Sequence, residues 1–262
     1  MSQAIHNSLV KTGIITQQQV RMARRSAASF AKRKVVSKGS RAMGINQIIL
    51  SEQDHNFGQI GGGAWLTDLN LWPKDPQTGQ LMLPVMMMTS TFLSVPFIPD
   101  GMALTVFVCI ERNDETYTRS SVRKLTVHQQ SEMEKLQLGH SCVLLHTLAT
   151  YELKPATLID PIPRTYIAQQ SLTPEQMEEE LEDLDCGVGI SKVLGRPAWL
   201  QDPLYESPRY YFLAQLIDAD IAKISPRHEG IFGGGIGYIF ADNRAKKMKE
   251  GDVGGYFVVQ VT

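Results

Sequence analysis

Two tryptophan loops, 134 residues apart (199 minus 65), constrain this 262-residue chain more than any other feature. Gly63-Ala64-Trp65-Leu66 returns, loosely, as Pro197-Ala198-Trp199-Leu200. Further on, the run from Gly101 to Phe107 parallels the run from Gly234 to Phe240, and Phe107 follows Trp65 by 42 residues where Phe240 follows Trp199 by 41. A chain that repeats both its turn chemistry and its strand spacing is built from two copies of one supersecondary unit. The copies are expected at about 45–160 and 186–262. Chance likeness of two Trp loops is the competing explanation, and the matched spacing speaks against it.

The segments between these markers read as short strands and a few helices. Ile45–Leu50, Leu81–Thr89, Met102–Ile110, Val122–His128, Ser141–Leu153, Tyr211–Ile217, Gly237–Phe240 and Tyr256–Val261 carry strand-like apolar content. Leu81–Thr89 and Met102–Ile110 lack alternation and are expected to be buried on both faces. Ser131-Glu132-Met133-Glu134 has the form of a capping box, and Thr16 caps a basic helix over Gln17–Lys34. Thr173-Pro174-Glu175-Gln176 opens an acidic helix expected to reach Asp185. Strands mixed with separate helices, without βαβ alternation, predict an α+β fold. Its mixed or antiparallel sheets come from two pseudo-repeated halves, with the N-terminal basic helix and the acidic helix packed on them. The corresponding domains are 1–44 and 45–262.

Charge is polarised along a chain whose net charge is only -1. Residues 1–50 hold nine Lys or Arg and no acid, whereas 175–185 hold seven acids and no base. A whole-molecule field for nucleic acid is therefore not expected. The N-terminal stretch lacks the apolar core of a signal peptide, and no run approaches the roughly 18 apolar residues of a membrane span. Cys109, Cys142 and Cys186 are odd in number and far apart, which suits a reducing compartment. The expected location is cytoplasmic.

No catalytic constellation stands out. The Gly230–Gly237 run leads into a strand rather than a helix and lacks a Lys-Ser/Thr pair, so tight turns are favoured over phosphate binding. His140, Cys142 and His146 alternate on one strand face, but the span is about 20 Å, too long for one ion. Cys109 lies in an apolar strand and reads as core, while Cys186 sits at an acidic helix end that disfavours a thiolate. His228-Glu229 is the least implausible acid–base pair, with a turn role favoured. Asp218 and Asp220 are expected to share one face of a strand end without further metal ligands nearby. No metal and no cofactor are expected.

Val193-Leu194-Gly195-Arg196-Pro197-Ala198-Trp199-Leu200-Gln201, then Tyr211–Asp218 with its Leu213-Ala214-Gln215-Leu216 core, resemble the second-half signature of the YwqG-like family. The strand ending in Phe240, the closing Gly255–Gln260, and Phe57–Leu66 with Trp72-Pro73 match further family elements. The resemblance covers roughly Ile45 to Thr262. Two departures stand out: Leu83-Pro84-Val85-Met86-Met87-Met88 replaces a Leu-x-Gln strand, and Gly233-Gly234 replaces a Gly-Asp pair.

That resemblance implies a bacterial cytoplasmic protein without an established reaction, some of whose relatives accompany toxin–immunity loci. The leading expectation is a non-enzymatic protein that binds a cognate toxin, with Glu175, Glu178, Glu179, Glu182 and Asp183 presented to the partner. A toxin that is itself a nuclease would meet carboxylates in place of phosphates. The alternative is a small-ligand-binding protein or enzyme whose cleft lies between the pseudo-repeats, lined by Trp65, Trp199, Gln201, Gln215 and Asp218. The bland reading keeps the acidic face solvated and the Trp side chains plugging the core beneath their turns.

Overall fold

Ten strands close into an antiparallel barrel in the computed structural model, which describes residues 44–113, 116–182, 187–204 and 208–262. The strands are β1 (Asn46–Ser51), β2 (Gly58–Ile60), β3 (Leu83–Thr89), β4 (Met102–Val108), β5 (Ser141–Thr147), β6 (Thr165–Ser171), β7 (Lys192–Val193), β8 (Tyr210–Ile217), β9 (Ile236–Asp242) and β10 (Val253–Gln260). Between them lie α1 (Ser90–Leu93), α2 (Arg119–Leu125), α3 (Pro174–Glu182) and α4 (Asp218–Ile224). Round the ring the order is β1-β6-β2-β3-β4-β5-β10-β9-β8-β7.

This arrangement overturns the expected α+β fold. Closure gives every strand two neighbours and leaves no sheet edge for a helix layer to cover. Among the described α-helices only α3 reaches nine residues, and α1 and α4 follow directly on strand ends. The basic helix expected over Gln17–Lys34 lies outside the described residues. No described helix is long and apolar enough to cross a membrane. In place of the strand expected over Val122–His128, residues 119–125 are helical, because Thr118 Oγ1 accepts from the Ser121 N–H at 3.2 Å. The buried Ser121 and Leu125 stand four apart, which is helical spacing. Over 130–138 the chain forms a 3-10 helix without a side-chain cap, since Glu132 accepts from the His128 N–H instead.

The barrel is filled rather than hollow. Ile48, Ile60, Val106, Leu145, Ile239 and Phe257 belong to one continuous buried cluster contributed by strands from the whole ring. A glycine makes this packing possible: a Cβ on Gly237 would sit 2.5 Å from the Phe257 ring. Two smaller apolar clusters lie apart from it. In one, Trp72 meets Phe107 edge-on with centroids 5.5 Å apart. In the other, Trp199 stacks over Phe240 at 6.0 Å and approaches Tyr238 at 4.7 Å. The Trp loops thus cover the faces of β4 and β9 that look away from the interior. That is why Met102–Ile110 shows no alternation: both faces are buried.

The two halves of the ring are paired in the same way. In β3 and β4, Pro84 opposes Phe107 and Met86 opposes Val106, with Val85 bulged between them. In β8 and β9, Phe212 opposes Phe240 and Ala214 opposes Ile239, with Leu213 bulged. Every pair in one hairpin maps onto the other with shifts of 128 (212 minus 84) and 133 (240 minus 107). Each bulged strand also runs directly into a helix, at Ser90 and at Asp218. The first strands are exchanged: β1 pairs with β7 of the later half, and β6 with β2 of the earlier half. They meet each other over six register positions, from Asn46↔Ser171 to Ser51↔Tyr166.

Candidate functional site

The halves differ most in one connection. Between β9 and β10 the chain uses ten residues, 243–252, whereas between β4 and β5 it uses 32, 109–140. The longer connection sits at the barrel end where β4 and β10 finish and β5 and β9 begin. It joins there with α4, the 3-10 turn Pro226–His228 and the glycine run that follows. Two hollows result. One, of about 470 Å³, is lined by Leu81, Met82, Ile110, Arg112, Asn113 and Ile159 among others. The other, of about 720 Å³, is lined by Thr116, Arg119, Arg123, His128, Glu229 and Gly230 among others. Tyr117 lines both.

Ion pairing fixes the wall at Tyr117. Asp160 binds Arg112 at 2.9 Å and Arg227 at 2.8 Å, and the Arg112 guanidinium lies 5.5 Å over the Tyr117 ring. Burial alone would raise the Asp160 carboxyl; Arg227, His228 and Arg112 outweigh it and hold the group below its ordinary value. Burial pushes the Tyr117 phenol well above its usual range. His228 is buried with Nδ1 3.0 Å from Ser225 Oγ and Nε2 3.1 Å from the Asp160 carbonyl. Its imidazole therefore braces the turn, and the acid–base pair considered with Glu229 is not assembled.

Beneath the smaller hollow, Asp75, Cys109 and His140 come together, each offering one ligand atom within 4.8 Å of the others. Asp75 sits in a Pro-Gly turn that opens after the Trp72 loop, where its Oδ1 accepts from Gln77 N–H at 2.7 Å. Cys109 follows β4 and His140 precedes β5, and the Cys109 N–H donates to the His140 carbonyl at 2.8 Å. Burial raises Asp75, but the Gln77 and Thr78 N–H groups, the Cys109 thiol and Lys124 together bring it below its ordinary value. Burial, then the Asp75 charge, pushes the Cys109 thiol up to about 12. Burial and then Lys124 press the His140 imidazole down, against Asp75 and Glu111. Carboxylate, thiol and neutral imidazole thus share one buried spot. A thiol held protonated is a poor nucleophile but a good metal ligand once its proton is displaced.

The residues expected to line an inter-repeat cleft do different work. Gln215 is buried, accepting from Ala198 N–H at 2.9 Å and donating to the carbonyls of Gly187 and Ile190. Trp199 packs on Tyr238, whose hydroxyl donates to the Ala198 carbonyl. Gln201 is exposed and donates to the Val261 carbonyl at 2.9 Å. Trp65 belongs to the other loop, where its Nε1 donates to Gln59 Oε1 at 2.9 Å. Asp218 is buried against the glycine run, accepting from Gly234 N–H at 2.6 Å. Gln215 anchors the Trp199 loop through the Ala198 N–H, while Trp65 and Asp218 make their bonds to other segments. Asp218 and Asp220 also part, because both fall on α4 rather than a strand end, and Asp220 accepts from Ser191 Oγ at 2.6 Å.

On α3, Glu175, Glu178, Glu179 and Glu182 are exposed; Asp183 lies outside the described residues, as does Cys186. Thr173 and Gln176 close the expected capping box, with reciprocal bonds of 2.8 and 3.2 Å. Glu180, one of the same run of acids, is instead buried against Lys192 and accepts from Arg196 N–H at 2.5 Å. The counterpart in the other loop is Glu152, which accepts from Gly63 N–H at 2.6 Å and from Gln59.

No protein-family model matches the chain, and no curated protein matches it either.

Proposed function

We propose that this chain is a binding protein whose working surface is the enlarged barrel end, where the hollows on either side of Tyr117 take a small molecule with apolar and charged parts. One observation carries the reading: the two halves share a register, yet this end gains a 32-residue connection together with hollows of about 470 and 720 Å³. Those volumes are in the range of small-ligand sites. The smaller hollow sets Leu81, Ile110 and Ile159 against Arg112, Asn113 and Arg227, a lining suited to an amphipathic ligand.

Native mass spectrometry of the full chain, taken directly from its cells, tests this. A retained small molecule is expected, lost in Asn113→Trp or Thr116→Trp and kept in Asn243→Trp at the opposite end. Retention unaffected by either filling variant would refute the reading.

A second reading is favoured by α3 itself. Four exposed carboxylates stand on a helix that Glu180 pins to the barrel, so the acidic face is displayed on a rigid support. Such a face suits a basic cleft on a protein partner. With the YwqG-like resemblance, this supports a cytoplasmic immunity protein that covers a cognate toxin. Reversing Glu178, Glu179 and Glu182 to Lys is expected to slow association with that partner at least tenfold. Unchanged kinetics would remove α3 from the interface.

A further inference from the structure

We propose that Asp75, Cys109 and His140 hold one divalent transition-metal ion of the zinc type, with a fourth position open to the smaller hollow. The three donor atoms already lie within 4.8 Å of one another. Ligands around a tetrahedral zinc ion sit roughly 3.3–3.8 Å apart, so a contraction of at most about 1.5 Å completes the geometry. Three separate elements deliver them: the 74–81 turn, the end of β4 and the start of β5. Continuation of the Val108↔Ser141 register puts Cys109 and His140 opposite each other.

A second observation points the same way. His140 is only 5% exposed, and its Nδ1 has no hydrogen-bond partner among the described residues. Buried imidazole nitrogens are ordinarily satisfied, and an ion on this ring would remove the need for a protein partner. Asp75 is oriented from behind by the N–H groups of Gln77 and Thr78, the kind of support that fixes a metal-binding carboxylate. The donor set selects the ion: sulfur and imidazole nitrogen with one carboxylate suit zinc or cobalt and exclude magnesium or calcium. Asp75 and Cys109 both line the smaller hollow, so water or a ligand enters the fourth position from that side. Three protein donors and one exchangeable position are the arrangement zinc uses where it binds or activates a ligand. On loading, the Cys109 S–H bond breaks, a sulfur–metal bond forms and the proton leaves to solvent; no electron is transferred.

The test is a cobalt(II) titration of the full chain after removal of metals with a chelator, followed by absorption spectroscopy. Saturation at one ion per chain is expected, with a sulfur-to-cobalt charge-transfer band and the visible bands of four-coordinate cobalt. The Cys142→Ser/Cys186→Ser double variant should keep that band, because its remaining thiol is Cys109. Cys109→Ser should lose it, and Asp75→Asn and His140→Gln should each weaken binding at least tenfold while circular dichroism stays unchanged. Failure of the wild-type chain to saturate, a charge-transfer band surviving in Cys109→Ser, or full affinity in both Asp75→Asn and His140→Gln would each overturn the site. Should Cys109→Ser unfold, the other two variants and the double-cysteine variant decide the matter.

Discussion

Replacing Glu180 with Gln isolates the interaction that fastens α3 to the barrel. Lys192 on β7 is 0% exposed and Glu180 is 4% exposed, so neither charge has water to fall back on. Glu180 also accepts from the Arg196 N–H, which leads into the second Trp loop. Gln keeps an acceptor for that N–H and nearly the same volume, so the change removes charge while leaving shape. The change breaks a buried ion pair from one side, which costs about 3–5 kcal/mol. For a domain of this size, 1 kcal/mol moves Tm by about 2–4 °C, so the expected fall is roughly 6–20 °C. Lys192→Met should cost somewhat less, since the stranded carboxylate retains the Arg196 bond.

The informative variant is the double one. In Glu180→Gln/Lys192→Met a neutral amide faces a thioether and the pair is removed from both sides, so stability should return to within about 2 kcal/mol of the wild type. Urea unfolding followed by tryptophan fluorescence measures all four corners of the cycle. A Glu180→Gln chain within about 1 kcal/mol of wild type, or costs that simply add, would show that water reaches this pair and that the reasoning fails.

Other perturbations probe the same physical account. Gly63→Ala should destabilise by several kcal/mol, because the new Cβ would lie 1.9 Å from the Leu153 carbonyl oxygen; a Tm within about 3 °C of wild type would contradict it. Phe257→Ala should cost about 3–5 kcal/mol by emptying the middle of the barrel, read from denaturant unfolding. Burial raises the Asp218 carboxyl, so its protonated form is favoured in the fold and the stabilisation is lost as pH rises past the ordinary aspartate value. Asp218→Asn, which keeps an acceptor for Gly234, should therefore be more stable than wild type at about pH 7 and gain nothing below about pH 4, read from urea unfolding at the two pH values. Asp242 behaves oppositely: burial alone would raise it, but Arg209 and Arg244 outweigh that and hold it down. Its contribution is complete above the ordinary aspartate value and is lost as pH falls through the lowered one. Asp242→Asn should be less stable at about pH 7 yet lose less between about pH 5 and about pH 2.5, and parallel pH profiles would count against the pairing.

Local chemistry is legible in the sequence and closure is not. The capping box at Thr173 and Gln176 depends on residues three apart, so it can be read directly. The matched Trp loops and Gly-led strands likewise mark segments that pair in one register. The ring, by contrast, depends on β1 meeting β6, with Asn46 and Gln169 separated by 123 residues. β6 reads Thr-Tyr-Ile-Ala-Gln-Gln-Ser and has one buried apolar residue, Ile167, while β7 is two residues long. Neither presents a pattern, so the closing strands escape a reading by periodicity and an open α+β arrangement results. Asp75, Cys109 and His140 escape for a related reason. They stand 34 and 31 residues apart (109 minus 75, 140 minus 109), outside any ligand spacing that sequence displays. Pairing Met102–Ile110 with the strand after His140 as one long-looped hairpin would have placed Cys109 opposite His140.

The broken symmetry can be divided further by what each part must cover. Identical registers give β4 and β9 comparable apolar outer faces, and each needs a lid. The 64–82 segment covers the first, with Trp72 on Phe107. The Trp199 loop covers only part of the second. Val127 and Met133, from the long connection, fill the same cluster as Tyr256 and Val258, and the Val127 N–H donates to the Val259 carbonyl at 3.0 Å. Val127 and Met133 are therefore held by packing, whereas Thr126 and His128 beside them line the larger hollow. Residues 109–113, 116–125 and 226–235 supply wall to both hollows and carry Cys109, Arg112, Tyr117 and Arg227. Substitutions at Val127 and Met133 should lower stability and leave cobalt affinity alone, while those at Cys109 should lower cobalt affinity.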